Sequence, residues 1–403
     1  MSIITEQSEP APASAVRTPA SVDAGDPAHG DTASTAGVSD RVTLAPTAAA
    51  GPSDAVSESI ETALDSARQI ARLGVDIATT LDWCVEVGAT APRPGSGGTT
   101  QLWELLAGTA ALDVAAARIL EPHLDALAIL EQSGTDLARG RDPWGVGAVR
   151  ATPRSSWGVY AAEAPGSTLR ATRNPEAWTL NGTKAWCSLA QDASHALVTA
   201  LVDDANRGLF AVDLRAQGVT AQPGPWHARG LPQIVSAPVA FADVPAIAVG
   251  EPGWYLQRPG FAWGGMSVAA VWWGAAAPLL GSLSAAASSA RADQLSLMHL
   301  GRADAALWGA RAVLAEAATL IDLGGAADRR SSKLLAERVR TIVVDAVTLT
   351  MAEADAALGP APLVGDASFA RRVSDLHLYL RQHHGLRDVA RIGCELTSWE
   401  QSS

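Results

Sequence analysis

Trp178-Thr-Leu-Asn181-Gly182-Thr-Lys184-Ala-Trp186-Cys-Ser188 is the stretch on which the fold turns. Apolar and β-branched residues flank an Asn-Gly pair, a strong short-range signal for reversing an extended chain. The stretch therefore reads as two strands joined at Asn181-Gly182. Alternate residues of a strand share a face, so Trp186 and Ser188 set an indole beside a hydroxyl. An ordinary hairpin with a packed aromatic has the same composition, and both readings stay open on these residues alone.

On either side of this stretch the pattern persists. Over residues 144–252, WGVYAAE, HALVTALV, RGLFAVDL and APVAFADV are short β-type runs separated by turn formers, which predicts a small β-barrel or sandwich. The chain before it is helical: Ile60, Leu64, Ala67 and Ala71 recur at helical spacing, and QLWELLAGTAALDVAAARILEPHLDALAILEQSG reads as one or two helices with a joint at Pro122. From 253 to 403 helical spacing returns, for example at Val339, Ile342, Val343, Ala346 and Leu349. The predicted organisation is a low-complexity disordered tail (1–55), an N-terminal helical domain (56–143), a central β-domain (144–252) and a C-terminal helical bundle (253–403). The tail assignment rests on the absence of aromatic residues from 1–55, since such a segment has little apolar surface to offset its ordering entropy.

Composition removes several classes of function. With 30 basic against 42 acidic residues and a net charge of −12, no nucleic-acid surface is expected. Three widely spaced cysteines, Cys84, Cys187 and Cys394, suit neither a disulfide framework nor a zinc site, and no metal is expected. The N-terminus lacks the basic and apolar regions of a secretory signal, so the cytoplasm is the expected location. Residues 261–290 carry no charge, long enough to span a bilayer. They are mostly Ala, Gly and Ser with Pro278 inside, which points to a helix buried in a bundle and not to membrane insertion.

Two further stretches carry a resemblance. Tyr160-Ala-Ala162-Glu163-Ala-Pro-Gly-Ser167 and FADVPAIAVGEPGW, taken with Trp178–Ser188 and the helix–strand–helix order, resemble the acyl-CoA dehydrogenase-like flavoprotein superfamily over residues 60 to 395. That resemblance implies an α+β protein with an N-terminal helical domain, a central small β-barrel and a C-terminal helical bundle. It implies FAD as cofactor, with Trp186 on the flavin face, Ser188 at the flavin edge, Ala162 in the flavin-contacting loop, and Glu163 and Ser167 toward the substrate. Arg291, closing the uncharged helix, is the nearest candidate for the pyrophosphate. A helix-terminal charge favoured by the macrodipole explains Arg291 equally well. Ala162 and Thr168 stand where the family has Thr and Asp, and the family's Arg-x-x-Phe-Gly phosphate clamp is absent.

For chemistry, the resemblance implies an enzyme that oxidises a Cα–Cβ bond of an acyl thioester or related small molecule and passes electrons to a separate acceptor. Its base is a carboxylate near a C-terminal Arg-Asp pair, here Arg387-Asp388. Glu395 is the nearby candidate, one residue short of the family position. Flavin monooxygenases on the same fold place a histidine in the last helix, which makes His384 the alternative. A catalytically silent homologue acting as a partner protein is the third reading. A homodimer or homotetramer is implied throughout.

Overall fold

The computed structural model describes residues 42–44, 54–140, 149–174, 177–326 and 328–400. The expected tail lies mostly outside these residues. Within it, however, Leu44 is buried, donates its N–H to Glu104 Oε1 at 2.8 Å and accepts Arg311 Nη1 on its carbonyl at 2.8 Å.

Four helices open the fold: α1 (Asp54–Arg68), α2 (Ile77–Gly88), α3 (Thr99–Leu112) and α4 (Val114–Gln132). Asp113 caps α4 by accepting the Ala116 N–H at 2.9 Å. The joint expected at Pro122 does not form, because α4 runs through it. A proline inside a helix frees the carbonyl four residues earlier, here that of Arg118.

Among the described residues seven strands follow: β1 (Trp157–Tyr160), β2 (Leu169–Arg173), β3 (Trp178–Ser188), β4 (His195–Leu201), β5 (Arg207–Asp213), β6 (Val219–Ala221) and β7 (Ser236–Ala248). The order β4-β2-β3-β7-β5 is closed by pairing of β5 back onto β4, with β1 beside β4 and β6 beside β7. The result is a small barrel around Leu180, Phe210, Val239 and Val244.

Asn181-Gly182 is not a hairpin turn. It lies inside β3, where the register against β7 slips between Leu180 and Gly182. Gly182 takes φ +119°, and a Cβ there would sit 2.2 Å from the Thr168 carbonyl oxygen, so glycine is required. Asn181 clamps the bulge by exchanging hydrogen bonds with Asp243, at 3.0 Å to its carboxylate and 2.9 Å from its N–H. The same local chemistry that makes Asn-Gly a turn signal here makes a bulge, because the neighbouring strand offers partners on both sides.

The chain then returns to helices α5 (Trp254–Gln257), α6 (Pro259–Ala287), α7 (Gln294–Asp322), α8 (Arg329–Leu358), α9 (Ala361–Gly365), α10 (Ala367–Tyr379) and α11 (Leu386–Glu400). α6 is the uncharged segment. It is apolar and long enough to cross a membrane, yet 72% of its most apolar window is buried inside the protein. Its close approach to α3 depends on Gly274, where a Cβ would lie 2.2 Å from the Ala107 carbonyl oxygen. Trp272 and Trp273 are buried in this core. Arg372 of α10 closes the end of α3 by donating to the carbonyls of Ala110 and Ala111 at 2.8 and 2.7 Å.

Candidate active site

Arg118, Glu121, Pro122 and Asp125 recur at helical spacing along α4 and line one wall of a cavity of 1170 Å³. Tyr160, Ala162, Glu163, Trp186 and Ser188 supply the barrel side. The first turns of α6, the α8 residues Lys333, Glu337 and Arg340, Tyr379 of α10 and the turn before α11 complete the lining. Such a cleft, in which aromatic and aliphatic walls meet many charged side chains, has the size of a small-molecule site.

Trp186 sits at the second irregularity of β3, between Lys184 and Cys187. It holds the left-handed φ of +57°, costly for a bulky residue, and its side chain is 56% exposed. A strained strand that turns an indole outward into a cleft is a structural commitment to whatever fills that cleft. Ser188 is two residues on. Its Oγ shares a 2.7 Å hydrogen bond with Ser236 Oγ and accepts from Arg118 Nη2 at 3.3 Å.

Glu121 is the residue that sequence reasoning missed. It is buried, lines the cavity and is pushed up to about 7. Burial is the main cause, opposed by the guanidinium of Arg118, reinforced by Asp125 and opposed again by Arg340. Facing it, Tyr379 Oη is buried with no hydrogen-bond partner among the described residues; burial and the Glu121 carboxyl both push its phenol up. Arg340 donates to the Gly265 carbonyl at 2.6 Å and the Gln382 carbonyl at 3.0 Å and covers the Trp272 ring at 4.7 Å. The signal available in the sequence was weak: acidic and basic residues at 118, 121 and 125, spaced as on any solvated helix face.

His384 also lines the cavity. The last helix is broken here: a 3-10 turn at Leu380–Gln382 is followed by Gly385 at φ +61°, so His383 and His384 are not on a helix. Both instead touch Asp388, His384 Nδ1 at 3.2 Å and His383 Nε2 at 3.6 Å. Asp388 also receives the His384 backbone N–H at 3.0 Å and pairs with Arg391. Burial raises its carboxyl, but the His384 N–H and the Arg391 charge outweigh that and hold it below the usual range. His383 is lowered, chiefly by burial, against the opposing pull of Asp388.

The other candidates stand elsewhere. Glu395 is outside the cavity lining; it pairs with Lys333 at 2.7 Å and Arg330 at 3.5 Å and is held below its ordinary value, first by the Lys333 hydrogen bond. Arg291 is exposed in the connection between α6 and α7. Ser167 donates to the Thr183 carbonyl at 2.9 Å. Glu163 reaches the cavity, but its Oε1 accepts from the buried Lys184 at 2.7 Å, with Arg207 at 3.3 Å. No group of three or more metal-ligating side chains lies among the described residues.

Residues 158–244 match the family model of the acyl-CoA dehydrogenase middle domain. No curated protein matches the chain. Among solved structures, butyryl-CoA dehydrogenase from Megasphaera elsdenii is 17% identical with a TM-score of 0.71, covering 87% of this chain and all (100%) of that one. Dibenzothiophene monooxygenase (TdsC) from Paenibacillus sp. A11-2 is 20% identical with a TM-score of 0.66, covering 84% of this chain and 95% of that one; it has also been solved with FMN and indole. KijD3, solved with FMN and a dTDP-linked amino-keto sugar, is 17% identical with a TM-score of 0.67, covering 86% and 92%. Residues 158–244 thus match an acyl-CoA dehydrogenase middle domain, and the chain as a whole shares the fold of these flavoprotein structures.

Proposed function

We propose that this protein is a flavin-dependent oxidoreductase of the monooxygenase type, acting on a small molecule in the 1170 Å³ cavity. The observation that carries this reading is the pairing, around one cavity, of Trp186 and Ser188 with His384 held by Asp388. The residues fit a flavin. The outward indole of Trp186 offers a flat face to a ring system, Ser188 offers a hydroxyl to its polar edge, and Arg118 lies behind that hydroxyl. When bound and reduced, the flavin would supply two electrons to O2, one oxygen atom passing to the substrate and the other leaving as water. The task of the chain is to bind, to exclude bulk water and to hold a proton at His384. FMN, which the relatives TdsC and KijD3 were solved with, and FAD, implied by the family resemblance, share this ring.

The dehydrogenase reading drawn from the sequence placed its base at Glu395, which lies outside the cavity lining and is paired with Lys333 and Arg330. A homo-oligomer is part of the proposal: Leu295, Leu297, Met298 and Trp308 are large apolar side chains exposed on α7.

The test begins with the visible spectrum of the full-length protein incubated with FMN or FAD. A retained, shifted flavin band supports the reading, and no band with either flavin overturns it. The loaded, chemically reduced protein is then mixed with oxygen. It should release less hydrogen peroxide than free reduced flavin, and His384→Ala should release more than wild type. Bleaching of the oxidised form by acyl-CoAs without oxygen would instead establish the dehydrogenase.

A further inference from the structure

Within the cavity, one carboxyl has no structural employment. Glu121 is buried and makes no hydrogen bond to any described residue, whereas every other acid in the lining has a cationic partner. Asp125 faces Arg258 at 3.7 Å, Glu163 holds Lys184, and Glu337 and Asp388 hold Arg391. A buried polar group without a partner is costly and is retained where a ligand completes it. Its surroundings are lopsided. Arg118 on its own helix, Arg340 on α8 and the Tyr379 hydroxyl on α10 are all donors, and the last has no acceptor. Asp125 one turn on, and Tyr255 of α5 beside the Asp125–Arg258 pair, are the remaining titratable neighbours.

We propose that Glu121 is the proton acceptor for a substrate hydroxyl, a phenol or an enol, whose oxygen anion is received by Arg118, Tyr379 and the positive field of Arg340. The ligand's O–H bond breaks, an O–H bond forms on the Glu121 carboxylate, the electron pair stays on the ligand oxygen, and nothing is oxidised or reduced. This rests on the cavity being the substrate site of the proposed function. It explains two features together: a base matched to neutral pH is needed against a hydroxyl that ionises near ~10, and the Tyr379 hydroxyl beside Glu121 has no acceptor among the described residues until an oxygen anion appears. Such an anion makes the ring or enol carbon electron-rich, which suits electrophilic transfer of oxygen to carbon.

The experiment uses 4-hydroxyacetophenone, a phenol whose anion absorbs at longer wavelength than its neutral form, added to the full-length protein with and without flavin. At a pH between the Glu121 titration at about 7 and that of the free probe, wild type should show a larger anion fraction than the free probe at the same pH. In Glu121→Gln the phenol proton has no acceptor in the site, and the bound anion fraction should no longer follow the wild-type profile. Arg118→Gln should weaken anion binding roughly tenfold or more, the loss of one charge-assisted hydrogen bond. Equal anion fractions in wild type and Glu121→Gln overturn the proposal, as does a wild type that binds the probe only neutral or not at all. If Glu121→Gln does not fold, infrared difference spectra of wild type on probe binding decide the matter: a protonated-carboxyl band must appear together with the anion, and an anion without that band overturns the proposal. Retention of the flavin band by Glu121→Gln separates the two readings: failure here with flavin retained leaves the proposed function standing.

Discussion

Glu121→Gln should make the protein more stable at neutral pH, and the effect should depend on pH in a way the site dictates. In the folded chain the carboxyl titrates at about 7, against ~4.3 for a solvated glutamate. Between those values the folded state holds a proton that the unfolded state has released, so stability falls as pH rises. At roughly 1.4 kcal/mol per pH unit, ionised Glu121 costs the fold on the order of 4 kcal/mol above neutrality. That stability is fully present below ~4.3 and lost by the time pH passes about 7. Glutamine keeps the shape, stays neutral and removes the dependence. Urea unfolding of both proteins over this range, compared as a difference so that His383, His123 and the other titrating groups cancel, reads the effect directly. The variant should match wild type under acid conditions and exceed it by ~4 kcal/mol at mildly alkaline pH. A difference that does not change with pH refutes the reasoning. So does a wild type that gains on the variant as pH rises, because then Arg118 and Arg340 stabilise the carboxylate by more than burial penalises it.

Gly274→Ala should destabilise the protein by at least ~1–3 kcal/mol, because its methyl would meet the Ala107 backbone at 2.2–2.6 Å where no side-chain rotation relieves it; an unchanged urea midpoint would show that α3 and α6 separate freely. In the native state a thiol reagent should modify Cys394 alone. Cys84 and Cys187 are buried and their thiols are pushed up by burial, the second to about 12, so Cys394→Ser should abolish native labelling while two thiols appear on unfolding; rapid labelling of either buried cysteine would contradict the packing.

What the sequence disclosed follows from the range of the physics behind each feature. Helix and strand periodicity is local, and the helix–strand–helix order was legible because apolar residues recur at 3.6 before Gly140 and after Pro259 and at 2 between them. Trp186 and Ser188 share a local strand and do line one cavity. The Asn181-Gly182 turn failed for a reason that periodicity cannot see. Asp243, 62 residues away, supplies the partner that turns a reversal into a bulge. The same holds for the carboxylates. Glu395 was prominent because it follows an Arg-Asp pair, yet its charge is claimed by Lys333, 62 positions away. Glu121 was inconspicuous because on α4 it is one of several evenly spaced charges. It becomes distinctive only when α8 and α10 bring Arg340 and Tyr379 against it and leave it without a partner. A carboxyl's chemistry is fixed by desolvation and by neighbours within a few ångströms, and those neighbours are set by topology. Candidate acids and bases read from sequence are therefore best ranked by which of them the fold leaves unpaired.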